Sequence, residues 1–200
     1  MNMAERLADY CAHRGRVRAV YPGVGDDLSH LLASGRGRHA RRTRAILAEL
    51  VTIPERLRYG DDEFGLIAYL PGDRVVGAML ANGDPATGSV YRVIDLASSQ
   101  KRPGTGTALM AALASVAART PRAAVRLDAE LQAVGFYAGL GMCADRETPR
   151  TDGLEKYLLA MTWNREQILA MSELATRCGL AVAPLAPLRL RRRTQVSRGL

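Results

Sequence analysis

Residues 90–110 read VYRVIDLASSQKRPGTGTALM. An apolar run from Val90 to Ala97 passes through a short polar loop into two glycines, Gly104 and Gly106, and then into an alanine-rich segment of helical composition. Glycines at a strand-to-helix junction remove side chains where the first helical N–H groups lack partners. Those groups can then close around an oxyanion such as a phosphate. Glycine also opens helices for steric reasons alone, so the flanking sequence has to decide between the two uses.

Downstream, Leu109, Leu113 and Val116 recur at helical spacing until Pro121, and Ala124 to Ala129 reads as a strand. Leu131 to Leu140 is a short apolar helix stopped by Gly141, and Lys156 to Met161 is a further strand after the polar loop 146–153. Asn164 with Gln167 three residues on forms a capping box for a helix that carries Ile168, Met171, Leu174 and Cys178 and ends at Gly179. The tail from Pro184, with its basic run, has no period and reads as extended or partly disordered.

Upstream, Ser89 to Ala97 is the third strand of a meander. Its partners are Phe64 to Leu70 and Val75 to Ala81, separated by the turns Pro71-Gly72-Asp73 and Asn82-Gly83-Asp84-Pro85. Before the meander, Asn2 and Glu5 form a capping box for a helix with Leu7, Tyr10 and Cys11 on one face, and Val17 to Tyr21 is a brief strand. Two more helices follow, one with Leu28, Leu31 and Leu32 inward and one from Ala40 with Ile46, Leu47 and Leu50 inward.

The chain has 200 residues, 48% of them hydrophobic, enough for one full-sized domain. No stretch has the length and apolarity of a membrane span or a secretory signal, so no membrane association and a cytoplasmic location are expected. Cys11, Cys143 and Cys178 are far apart with no metal-ligand spacing, which suits reduced thiols and leaves no metal site in view. The net charge of +8 is carried by arginine, since Lys101 and Lys156 are the only lysines. Arginines cluster at 36–44 and again at 189–198. Such clusters are either solvated surface or contacts for a phosphate backbone or an acidic partner. His13, His30 and His39 all precede the glycine junction by a wide margin and read as surface residues.

Two frames in the central third resemble the signatures of the GNAT superfamily of acyl-CoA N-acyltransferases. The family's phosphate loop, Arg or Gln, two residues, Gly, one residue, Gly or Ala, is matched by Lys101-Arg102-Pro103-Gly104-Thr105-Gly106. Its second signature, Asn, two residues, Ala, two residues, Phe-Tyr, two residues, Leu-Gly-Phe, is matched at Glu130, Ala133, Phe136, Tyr137, Leu140, Gly141 and Met142. Lys101 and Glu130 depart from the usual Arg or Gln and Asn.

The resemblance implies an α/β fold, a mixed and mostly antiparallel central sheet flanked by helices on both faces in three layers. Residues 1–163 would form the acetyltransferase domain, the helices of residues 1–60 bordering the acceptor, with 164–200 as a C-terminal helix and basic tail. It further implies acetyl-CoA as cosubstrate, with no metal, held by Leu96, Ala97, Ser98, Lys101, Arg102, Pro103, Gly104, Thr105, Gly106 and Thr107. Backbone N–H groups would do most of that holding, so Lys101 is a mild departure.

An amine would attack the thioester directly, with a backbone N–H near Leu96 meeting the oxyanion and Tyr137 serving as the acid. The usual strand glutamate is missing. Asp95, taken to lie opposite a core-facing Ile94 and Leu96, and Glu130, with Asp128 on the strand face that Glu130 shares, are the carboxylates that could act as base, and a water chain is the alternative. Phe136 is expected to pack. The acceptor would be a small amine, an aminoacyl group on tRNA or a protein amine. The acceptor would be gripped by residues 28–57 and 146–153, whose arginines favour an acceptor bearing phosphate or carboxylate over a polycation. A homodimer is compatible with the resemblance. A second class of function fits the same residues, a non-catalytic CoA-binding module engaging tRNA, other nucleic acid or an acidic partner through its arginines.

Overall fold

The computed structural model describes residues 1–20, 41–48, 63–72, 74–83, 90–99, 102–144, 150–151 and 157–183. Helix α1 spans Met3–Ala12, α2 Thr105–Ala117, α3 Leu131–Gly139 and α4 Arg165–Arg177, and residues 41–48 are also helical. The strands are β1 Arg16–Val20, β2 Glu63–Leu70, β3 Arg74–Asn82, β4 Val90–Ser98, β5 Ala124–Glu130, β6 Cys143–Ala144, β7 Arg150–Thr151, β8 Tyr157–Trp163 and β9 Ala181–Ala183. Both expected capping boxes are formed. The Asn2 side chain accepts from Glu5 N and the Asn164 side chain from Gln167 N, each with the reciprocal bond.

Among the described residues the strands form one sheet in the order β6-β8-β5-β4-β3-β2-β1-β9, with β7 also on β8. Strands β1 to β4 are an antiparallel meander, β4 and β5 pair in parallel, and β9 returns in parallel to β1. The two-residue strands β6 and β7 and the three-residue β9 carry too few side chains to show a period, and the sequence reading missed all three.

Side-chain alternation divides the interior in two. Phe64, Leu66, Ala68 and Leu70 of β2 face a large core shared with α1, α2 and α4, and Ile67 and Tyr69 face a smaller one with Ile46 and Leu47 of the helical segment 41–48. Such a strand is buried on both faces, which explains its near-continuous apolar run. The C-terminal helix is part of the same body. Ile168, Met171, Leu174 and Ala175 of α4 lie in the large core, and the Arg165 guanidinium donates to the carbonyls of Ala118 and Thr120 at 2.8 Å each, closing the carbonyl end of α2.

Of the elements expected before the meander, the helix at Leu28 to Leu32 lies outside the described residues, as do Leu50, His30, His39, Lys101 and the basic tail. No helix among the described residues is long and apolar enough to cross a membrane.

Candidate active site

The sheet forks at its centre. Strands β4 and β5 are paired only from Val90↔Ala124 to Val93↔Leu127; beyond that β4 keeps β3 as its neighbour and β5 keeps β8. Residues Ile94 to Ser98 therefore present one unpaired backbone edge to the gap. At the same point the β3/β4 register slips, with Leu80 opposite Asp95 and Ala81 opposite Val93, so Ile94 is an extra residue in β4.

This bulge corrects the sequence reading of the strand. Ile94 does not face the core as alternation demands; it is 45% exposed, while Leu96 packs against the large core and Ala97 against the small one. Asp95 is thereby turned to the side covered by residues 41–48.

One side of the fork is a cradle of about 350 Å³, lined by Met1, Arg6, Ser98, Ser99, the run Arg102 to Thr107, and Phe136. Gly104 has φ +86, and a Cβ there would collide with the Arg6 carbonyl oxygen of α1. At Gly106 a Cβ would stand 3.1 Å from Phe136 Cζ and 3.4 Å from Ser98 Oγ, so the missing side chain lets that ring close one wall. Thr105 N donates to Arg102 O at 3.5 Å and Ala108 N to Gly104 O at 2.8 Å, while the Gly106 and Thr107 N–H groups meet no acceptor among the described residues. No acidic side chain sits in the first turn of α2 to compete for them. Of the residues that the resemblance assigns to the cofactor, Ser98 and Arg102 to Thr107 line this cradle. Ala97 does not; its side chain is buried in the small core.

The other side is a cavity of about 680 Å³. It gathers Asp95 and Leu96 from β4, Asp128 and Glu130 from β5, Tyr137 from α3, and Arg42 from the helical segment. Thus all three carboxylates and the phenol singled out from the sequence come together. Arg42 was not singled out, though it precedes the buried Ile46 by four residues and so shares its helix face. Its Nη2 donates to Asp95 Oδ1 at 2.8 Å and its Nε to the same oxygen at 3.2 Å, and Nη2 stands 4.0 Å from Glu130 Oε1. The hydrogen bond it donates to Asp95 holds the guanidinium more firmly protonated than usual. Asp128 is paired with Arg92 at 3.0 Å, and Glu130 accepts from Gln132 Nε2 at 2.6 Å.

The Leu96 N–H donates to the Asp95 carboxylate at 2.7 Å. Tyr137 is buried with its ring edge-on to Phe136 at 4.9 Å. Burial, and then the negative charge of Asp95, push its phenol up to about 12, with Arg42 pulling the other way and Glu130 adding to the rise. Phe136 does more than pack, since it lines the cradle while Tyr137 lines the cavity. No group of three or more His, Cys, Asp or Glu side chains able to hold a metal occurs among the described residues.

No family model matches the sequence, and no curated protein matches it. Solved structures do match in fold. A CoA-dependent acyl-homoserine lactone synthase, BjaI, solved with SAM and isopentyl-CoA, superposes with a TM-score of 0.57 at 17% identity over 86% of this chain and 94% of its own. A GNAT-family protein from Desulfovibrio desulfuricans gives 0.53 at 16% identity over 76% of this chain and 99% of its own. Spermidine N-acetyltransferase from Vibrio cholerae gives 0.52 at 12% identity over 79% and 98%. The fold of this chain is that of the GNAT superfamily.

Proposed function

We propose that the chain is an acyl-CoA-dependent N-acyltransferase that moves an acetyl group from acetyl-CoA to a small amine. The observation that carries the reading is the fork in the sheet. It sets a phosphate-sized backbone cradle and a charged, phenol-bearing cavity on either side of one unpaired strand edge. A thin, polar ligand that is anionic at one end suits that edge, because the Ile94 to Ser98 backbone supplies donors and acceptors along its length. The activities named for the structural neighbours, acyl-homoserine lactone synthesis from acyl-CoA and spermidine acetylation, are in keeping with it.

In this reading the Gly106 and Thr107 N–H groups hold the pyrophosphate at the start of α2. An ammonium acceptor first releases one proton to solvent; the neutral nitrogen then forms a bond to the thioester carbon as the carbon–sulfur bond breaks, and its surplus proton passes to a carboxylate. Glu130, which lines the same cavity as Tyr137, is our candidate for that task. A phenol near 12 holds its proton against a thiolate whose thiol titrates at about 8.5 by the cysteine reference. Tyr137 therefore stabilises the departing sulfur as a hydrogen-bond donor, and the proton collected from the amine completes the thiol.

The cavity lining bears on the acceptor. Among its described residues Asp95, Asp128 and Glu130 outnumber Arg42 and Arg92, and each arginine already faces an aspartate. This favours a cationic amine over the anionic acceptor that the arginine content suggested. Most of the segments behind that earlier expectation, 28–57 and 146–153, lie outside the described residues. A volume of about 680 Å³ is that of a small-molecule site.

The test is calorimetric titration with acetyl-CoA and CoA, followed by acetyl transfer to a panel of amines from monoamines to polyamines. Micromolar binding and transfer to at least one cationic amine are expected. An absence of binding to both ligands would sink the reading.

A further inference from the structure

The resemblance gives a backbone N–H near Leu96 to the thioester oxygen, and here the Leu96 N–H itself already has an acceptor. Asp95 Oδ1 receives three donors, the Leu96 N–H at 2.7 Å and the Arg42 Nη2 and Nε at 2.8 and 3.2 Å. The Asp95 side chain is still 30% exposed and Arg42 53% exposed, so neither is locked by packing. The bulge at Ile94 sets this up. It turns Asp95 to the face beneath residues 41–48, while the unpaired edge leaves the next amide with no strand partner.

We propose that the Asp95 carboxylate is a gate on the acyl-donor site, closed over the Leu96 N–H and held by Arg42, and that an acyl thioester must turn it aside to bind. The inference rests on the acyl-CoA reading above. It makes Asp95 a positioning residue that discriminates acylated from free coenzyme A. Only a thioester carries the carbonyl oxygen that competes for the amide. A carboxylate is a stronger acceptor than that neutral carbonyl, so the closed gate works against the acylated ligand alone. With the gate open, Asp95 is released beside Glu130 on the acceptor side, where the ammonium group approaches.

The experiment compares acetyl-CoA with CoA by titration calorimetry on the full chain and on Asp95→Ala, Asp95→Asn and Arg42→Ala. The ratio of the CoA dissociation constant to that of acetyl-CoA should rise about tenfold in Asp95→Ala, equivalent to about 1.4 kcal/mol. It should rise less in Asp95→Asn, whose neutral amide oxygen still accepts the hydrogen bond, and less again in Arg42→Ala, which loosens the carboxylate without removing it. Affinity for CoA itself should stay within about twofold of the parent throughout, a general electrostatic effect being small at partly exposed charges. Asp95→Asn is nearly isosteric and keeps the comparison open if the alanine variant does not fold.

Equal changes for both ligands, or a fall in the ratio, would overturn the gate. Failure of the parent to bind either ligand would instead bring down the acyl-CoA reading itself.

Discussion

The two sides of the β4/β5 fork are built on opposite plans. The cradle is a local object. Its Ser98 and Ser99, its run from Arg102 to Thr107 and its free N–H groups lie within ten residues of one another, and only Arg6, Met1 and Phe136 arrive from elsewhere. The cavity is assembled from residues as far apart as Arg42, Asp95, Glu130 and Tyr137, and its side chains are charged and mutually paired. A backbone site tolerates side-chain change and depends on conformation, whereas a side-chain site depends on each group. The two should fail in different ways.

The largest effect expected is on the cavity. Tyr137→Phe keeps the ring against Phe136 but removes the donor, and kcat should fall roughly 10²- to 10³-fold. The dissociation constant for CoA should move less than about twofold, which steady-state kinetics beside calorimetry would check. If kcat is unchanged, the phenol belongs to the packing and the cavity loses its chemical half. On the cradle side, Gly104→Ala should behave in the converse manner. A left-handed φ and a Cβ driven into the Arg6 carbonyl should weaken CoA binding about tenfold or more and cost about 1–3 kcal/mol of stability. Turnover at saturating donor should survive.

A third measurement reads the environment of Tyr137 directly. Its folded pKa is raised from 10 to about 12. The folded state thus binds this proton more tightly than the unfolded state. The associated stability is complete below about pH 10 and is lost as pH rises through about 12. Buried Tyr10, whose phenol is also pushed up, mainly by burial, adds a loss of the same sign. Denaturant titrations of the parent and Tyr137→Phe at pH 8 and pH 11.5 should therefore differ in slope, the variant lacking about 2 kcal/mol of the alkaline loss.

The smallest effect lies away from both sites. Arg165→Ala leaves the carbonyl end of α2 without its guanidinium cap and should cost about 1–2 kcal/mol in a melt, with CoA affinity unchanged because the cradle is at the other end of that helix.

The contrast between the two sites also governs how much could be read from the chain alone. The glycine pair, both capping boxes, the meander and the Phe136-Tyr137 helix follow from nearest-neighbour rules that hold whatever surrounds them. The bulge at Ile94 does not. Adjacent apolar residues such as Val93 and Ile94 also occur in strands buried on both faces, and the slip is fixed only where β4 must pair with β3 on one side while parting from β5 on the other. Arg42 was hidden for a related reason. It stood in an arginine cluster as one charge among several, until the burial of Ile46 and Leu47 set its helix face over Asp95.

The sequence by itself therefore determined the order of the longer elements, the glycine junction at the start of α2, and the carboxylates and phenol available for chemistry, because these depend on turns, caps and periods a few residues long. Which of those groups meet, that Asp95 accepts from the Leu96 amide, and that the described lining of the cavity holds more carboxylates than arginines were decided by tertiary structure. Each of these depends on two strands separating and on a distant helix closing over the gap, and neither event leaves a local pattern in the chain.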